Sequence, residues 1–137
     1  MDKKLLTLVV AFFVTFVLFG TAIIFQKSIT QAIRATEENT PSGASSLIFA
    51  WPLKEKADGA TQVKIDVFVR SKTNRPISKK TVSVTTSLGN VQKVSDVSDS
   101  AGKTSFIITS STPGVANLSA TIDNSIPLEK TLSVKFE

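Results

Sequence analysis

Two hydrophobic periods divide this chain. From Leu5 to Phe25, LLTLVVAFFVTFVLFGTAIIF, twenty-one residues pass without a charge. At 1.5 Å per residue such a helix is about 31 Å long, the thickness of a bilayer's hydrocarbon core. The segment is therefore predicted to be a membrane span bounded by Leu5 and Phe25, with Phe12 and Phe16 inside it. A cleavable signal has a shorter apolar region, about 7 to 15 residues, followed by a small-x-small site. The QKSITQAIRA that follows here offers no such site, so the span is expected to remain as an anchor. Lys3 and Lys4 lie in the four-residue tail at the membrane edge, which predicts a cytoplasmic N-terminus (residues 1–4) and an extracytoplasmic remainder.

Past the span, helix formers continue without Gly or Pro to Ala35, and Ile29, Ala32 and Ile33 fall three and four apart. The helix is expected to run on to residue 35 with an apolar stripe. One reading lays the stripe against lipid headgroups. The other packs the helix on copies of itself, and the small residues Thr7, Ala11 and Thr15, four apart within the span, suit close helix approach. Residues 36–46, TEENTPSGASS, are polar and hold Pro41 and Gly43. They predict a flexible linker with a reach of about 15 to 20 Å.

After Ser46 the period becomes two. Val63, Ile65, Val67 and Val69 alternate with Gln62, Lys64, Asp66 and Phe68, and the same alternation recurs around Val82, Leu118 and Val134. Turn signals separate the runs: Asp58-Gly59, Thr73 to Pro76, Leu88-Gly89-Asn90, Asp99 to Gly102, Pro113-Gly114 and Asp123-Asn124. About seven strands follow, near 47–51, 61–70, 81–87, 91–97, 103–110, 115–122 and 128–136. Short antiparallel strands at this spacing, with no helical period, predict an all-β, immunoglobulin-like β-sandwich over residues 47–137 behind one transmembrane α-helix. Within the first strand, Leu47, Phe49 and Trp51 share one phase. They are expected to face inward, the alternative being an exposed aromatic patch. Phe68 falls instead on the polar phase of its strand, beside Lys64, Asp66 and Arg70, and is the best candidate for a surface contact.

Several of these segments also resemble a known family. ADGATQVKIDVFV at 57–69, NRPISKKTVSVTT at 74–86, SDSAGKTSFIITSSTPGVANLSATID at 98–123 and LSVKF at 132–136 are similar to the bacterial immunoglobulin-like domain, group 1, of invasin and intimin adhesins. The correspondence rests on the ADG before a strand, the Asn and Pro of the next turn, the D-x-x-G-K turn at Asp99 to Lys103, and S-x-T-x-G at Ser110 to Gly114. It implies a sandwich that serves as a spacer or adhesive module on a bacterial surface. Such domains usually occur in tandem; here one copy follows one helix.

Composition narrows the chemistry. The net charge of +5 splits into +3 over residues 1–35 and +2 beyond, so the basic balance belongs mostly to the anchor. Outside it no Lys/Arg run exceeds Lys79-Lys80, and nucleic acid is not expected as a partner. The chain has neither Cys nor His, which excludes disulfides, thiol and imidazole nucleophiles and ordinary zinc sites. Asp96 and Asp99 offer too few oxygens for calcium and are read as part of a hairpin turn. The remaining acids sit in turns or on polar strand phases, without the desolvated pair that glycoside hydrolysis needs. No cofactor and no enzymatic activity are predicted.

The expected function is a single-pass membrane protein that displays one immunoglobulin-like domain for structural or adhesion-type protein contact. Its expected partners are the lipid bilayer and another protein, with self-association through the N-terminal helix as a further expectation. One alternative is a pilin-like filament subunit, although Leu5 to Phe25 lacks the early glutamate and the processing site of that plan. Another is an accessory subunit of a membrane complex.

Overall fold

The computed structural model describes residues 2–137; the side chains of residues 25–38 lie outside the described set. Two compact units emerge, Met1–Thr36 and Glu37–Glu137. The first is dominated by helix α1, Lys3–Asn39. Over Lys3–Ile24 it is apolar enough to cross a membrane, and none of that stretch is covered by protein. Phe12 and Phe16 are exposed, and their rings stack at 6.3 Å. The hydroxyls of Thr7 and Thr15 donate back to the carbonyls of Lys3 (2.9 Å) and Ala11 (2.8 Å). Bonded this way, the threonines of the small-residue stripe carry no unsatisfied donor into an apolar medium. Of the residues singled out on the helix, Phe25, Ile29, Ala32 and Ile33 have side chains outside the described residues.

Among the described residues the second unit holds nine strands: β1 (Leu47–Trp51), β2 (Lys54–Glu55), β3 (Val63–Phe68), β4 (Val82–Thr86), β5 (Asn90–Ser95), β6 (Lys103–Thr109), β7 (Gly114–Ile122), β8 (Ile126–Pro127) and β9 (Leu132–Phe136). They form two sheets, one ordered β1-β3-β6-β5, the other β2-β9-β7-β4 with β8 beside β7. Each of the seven predicted strands is present. The two-residue β2 and β8 were invisible to a period-two reading because two residues cannot display a period.

Alternation puts the core between the sheets. Val63, Ile65, Val67 and Val69 are fully buried, as are Phe106 and Ile108 beside them on β6, and they face Val82, Leu118, Ile122, Val134 and Phe136 from the other sheet. Each such side chain contributes about 1.5 to 3 kcal/mol by leaving water, and without disulfides this layer and the ladders hold the domain. The Asp99 turn is as expected. Its carboxylate accepts the amides of Ala101 (2.8 Å) and Lys103 (2.9 Å), and Gly102 takes a φ of 74°. A Cβ at Gly102 would run into the carbonyl oxygen of Val69, so this position needs glycine for space as well as for backbone angle.

The approach to the sandwich differs from the flexible 36–46 linker read from composition. Helix α1 continues through Asn39, and Pro41 bridges to Ser71. The Ser42 amide donates to the Arg70 carbonyl at 2.8 Å, Ser46 is fully buried, and Gly43 sits against Pro127, leaving no room for a Cβ. Small residues here allow close packing. Composition alone cannot separate that use from flexibility.

Candidate contact face

Because side chains alternate across a strand, register decides which residues share an outer surface. In β1, Ile48 and Ala50 lie opposite Val67 and Ile65 and point into the core. Leu47, Phe49 and Trp51 therefore point outward, opposite Phe68, Asp66 and Lys64. This corrects the inward phase expected for the three residues: Phe49 is 52 % exposed and Trp51 80 %. The reason is that LIFAW is apolar in both phases, so periodicity carried no signal, and the bulkier set fits outside while Ile48 and Ala50 fit the core.

Phe68 does lie on the outer surface, half-buried, because the ring of Phe49 meets it edge-on with centroids 5.9 Å apart. The aromatic that stood alone in the sequence is one of a group. Across β6, Ile107 extends the same face, and Val94 stands 61 % exposed at the irregularity of β5 between Lys93 and Ser95. Two hollows mark the face. One of about 100 Å³ is walled by Phe49, Trp51, Lys64 and Asp66; the other, about 250 Å³, by Gln62, Lys64, Val94, Ser105 and Ile107.

Between the aromatic and aliphatic groups runs a polar seam. The Asp66 carboxylate accepts the Ser105 hydroxyl at 2.7 Å and pairs with Lys103 at 3.1 Å and Lys64 at 3.6 Å. Partial burial pushes its pKa up, yet the Ser105 hydroxyl and the two lysines together outweigh this and hold the carboxyl below the ordinary range. Asp66 is thus a charged, already partnered group, suited to orienting a partner and not to proton transfer. Elsewhere, Asp58 is held at about 2 by the Thr61 amide and hydroxyl and the Ala60 amide, all within its own turn. Among the described residues no cluster of three acids has the arrangement of a metal site.

The other sheet turns a different surface outward. Thr85 bonds Ser119 at 2.8 Å, Ser133 donates to Asn117 at 2.8 Å, and Ser83 to Asn124 at 3.1 Å. Its polar groups answer one another.

Two facing sheets joined by short connections define an immunoglobulin-like sandwich. Residues 51–137 match the bacterial Ig-like domain (group 1), and the chain belongs to that family. The sandwich is similar to invasin, a bacterial integrin-binding protein (26 % identity, TM-score 0.65, 72 % of this chain, 20 % of that one). It is also similar to the Yersinia pseudotuberculosis adhesin InvE (22 %, TM-score 0.64, 72 % and 28 %) and to the D0-D1 domain of intimin (24 %, TM-score 0.60, 72 % and 49 %). This chain thus spans less than half the length of each of these structures. No curated protein matches the sequence.

Proposed function

We propose that this protein is a single-pass membrane-anchored bacterial surface protein that displays one immunoglobulin-like domain for protein contact, with residues 5–25 in the bilayer, the N-terminus cytoplasmic and the domain outside. The observation that carries the reading is the join within one chain of a helix, charge-free from residue 5 to residue 24 and there uncovered by protein, to a domain of the family found in invasin and intimin. Lipid answers the exposed Leu, Val and Phe side chains of Leu5–Ile24, which no protein covers. Phe49, Trp51 and Phe68 supply the contact face, since aromatic residues beside an oriented charge are what protein interfaces enrich. Invasin is an integrin-binding protein by its description, and intimin's C-terminal fragment was solved with a receptor domain. Both support a protein as the partner class. The work of the domain on this reading is contact, with no chemical step.

The test is made on intact cells producing the full chain. Carbonate washing should leave the chain in the membrane pellet, and protease added outside should remove the domain. A photo-reactive residue replacing Trp51 should then yield a discrete protein adduct, whereas one replacing Ser119 on the opposite sheet should not. Release of the chain by carbonate, or protection of the domain in intact cells, would overturn the reading.

A further inference from the structure

Among the described residues the outer strands of the two sheets differ in how open they are to further pairing. Strand β2 is two residues long and both are charged, Lys54 and Glu55. Beside β4, only the start is taken up, the Val82 amide donating to the Asp96 carbonyl (2.7 Å) and Thr81 bridging to Val97, and the rest, Ser83–Thr86, is mostly hydroxyl residues that bear no apolar patch. Strand β5 carries Lys93 opposite Phe106, on the core phase, and its ladder is broken between Lys93 and Ser95. Short length, an inward-phase charge and a bulge are the devices that keep edges from recruiting other strands. Strand β1 has none of them. It is five residues, Leu47-Ile48-Phe49-Ala50-Trp51, regular in register with β3 and without charge or proline, and among the described strands it pairs along one side only.

We infer that β1 is a pairing edge for β1 of a second copy of this chain, antiparallel about a two-fold axis at Phe49, joining two four-stranded sheets into one of eight. The self-match supports a second copy over an unrelated strand. Centred on Phe49, the pairing sets Leu47 against Trp51, Ile48 against Ala50, and Phe49 against itself. No charge is desolvated, and a large side chain meets a smaller one at each unlike pair. An isologous contact of this kind closes at two copies and cannot propagate. The seam is short and belongs to the weak class of interfaces. Copies tethered in one membrane raise each other's effective concentration, so the inference rests on the anchored reading above.

The absence of native cysteine makes the test direct. In an antiparallel ladder directly opposed Cα atoms lie about 4.5 to 5.5 Å apart, within disulfide reach. In native membranes treated with a thiol oxidant, full-length Phe49→Cys should form a covalent dimer at least tenfold faster than Val115→Cys, which is equally exposed (53 %) on the other sheet. Leu47→Cys and Trp51→Cys chains made together should cross-link as a mixed pair, and adding Phe49→Lys to both should lower that yield at least tenfold. Equal rates for the Phe49→Cys and Val115→Cys chains, no dimer of either, or an adduct of the Phe49→Cys chain to a different protein would overturn the inference while the chain stays in the carbonate-washed pellet. Loss from that pellet would instead overturn the anchored reading.

Discussion

The two outer faces of the sandwich are built on the same alternation and end in opposite states. On the β2-β9-β7-β4 sheet, Ser83, Thr85, Asn117, Ser119, Asn124 and Ser133 hydrogen-bond among themselves. On the β1-β3-β6-β5 sheet, Phe49 and Trp51 remain largely in water around a charged seam at Asp66. The core needs neither arrangement, because the inward sets are saturated on both sheets. Exposed aromatic area adds little to the fold and lowers solubility, and its concentration on one face is the observation on which the proposed contact rests.

The comparison breaks most severely from the inside. Val67→Asp places an unpaired carboxylate in the fully buried layer beneath the aromatic face and should abolish cooperative unfolding of the full chain in detergent, a cost of more than about 4 kcal/mol. Lys64→Asp, on the outward phase, exchanges an exposed ion pair with Asp66 for a like-charge neighbour and should cost far less, about 1 kcal/mol. Thermal melts that rank the two the other way would invert the strand phase. Phe106→Ala should cost about 3 to 5 kcal/mol by the cavity it leaves, and should do so without touching either outer face.

A smaller effect is expected at Ser98. It is buried, donates to the Ile77 carbonyl at 2.8 Å and accepts the Lys80 amide at 2.9 Å. Ser98→Ala leaves both backbone groups short of a partner and should cost about 1 to 3 kcal/mol in chemical denaturation. Smaller still, Trp51→Ala and Thr85→Ala should each change stability by about 0.5 kcal/mol or less. Only the first should reduce cross-linking to a partner, which separates the two faces by function where stability cannot.

The pH dependence follows from depressed carboxylates. Asp58 sits at about 2 in the folded chain against an ordinary 3.8. A group whose folded pKa is lowered contributes stability above its unfolded value and loses it as pH falls through the folded one. The melting temperature should therefore drop between about pH 4 and pH 2, and Asp58→Asn should flatten part of that drop. Asp66 is lowered in the same sense. Asp66→Asn should flatten a further part, and melts of the two variants showing no change of slope would refute the assignment.

The sequence by itself determined the charge-free helical segment, seven strands, the phase of β3 and the outward position of Phe68. In each case the residue pattern contrasts apolar with polar at the period of the element, so one face is forced inward. It also carried the family, through turn residues whose backbone needs only a few side chains meet, as at Asp99 and Gly102. Only the tertiary structure decided the phase of β1, since LIFAW is apolar in both phases and the choice between Ile48 and Phe49 for the core depends on which set fits against Val67 and Ile65. It alone decided that Ser42, Gly43 and Ser46 are packed and not loose, because small residues serve close approach as readily as freedom. And it alone brought Phe49, Trp51 and Phe68 to one surface, because the pairing of strands distant in the chain is set by the whole sheet and by no local pattern.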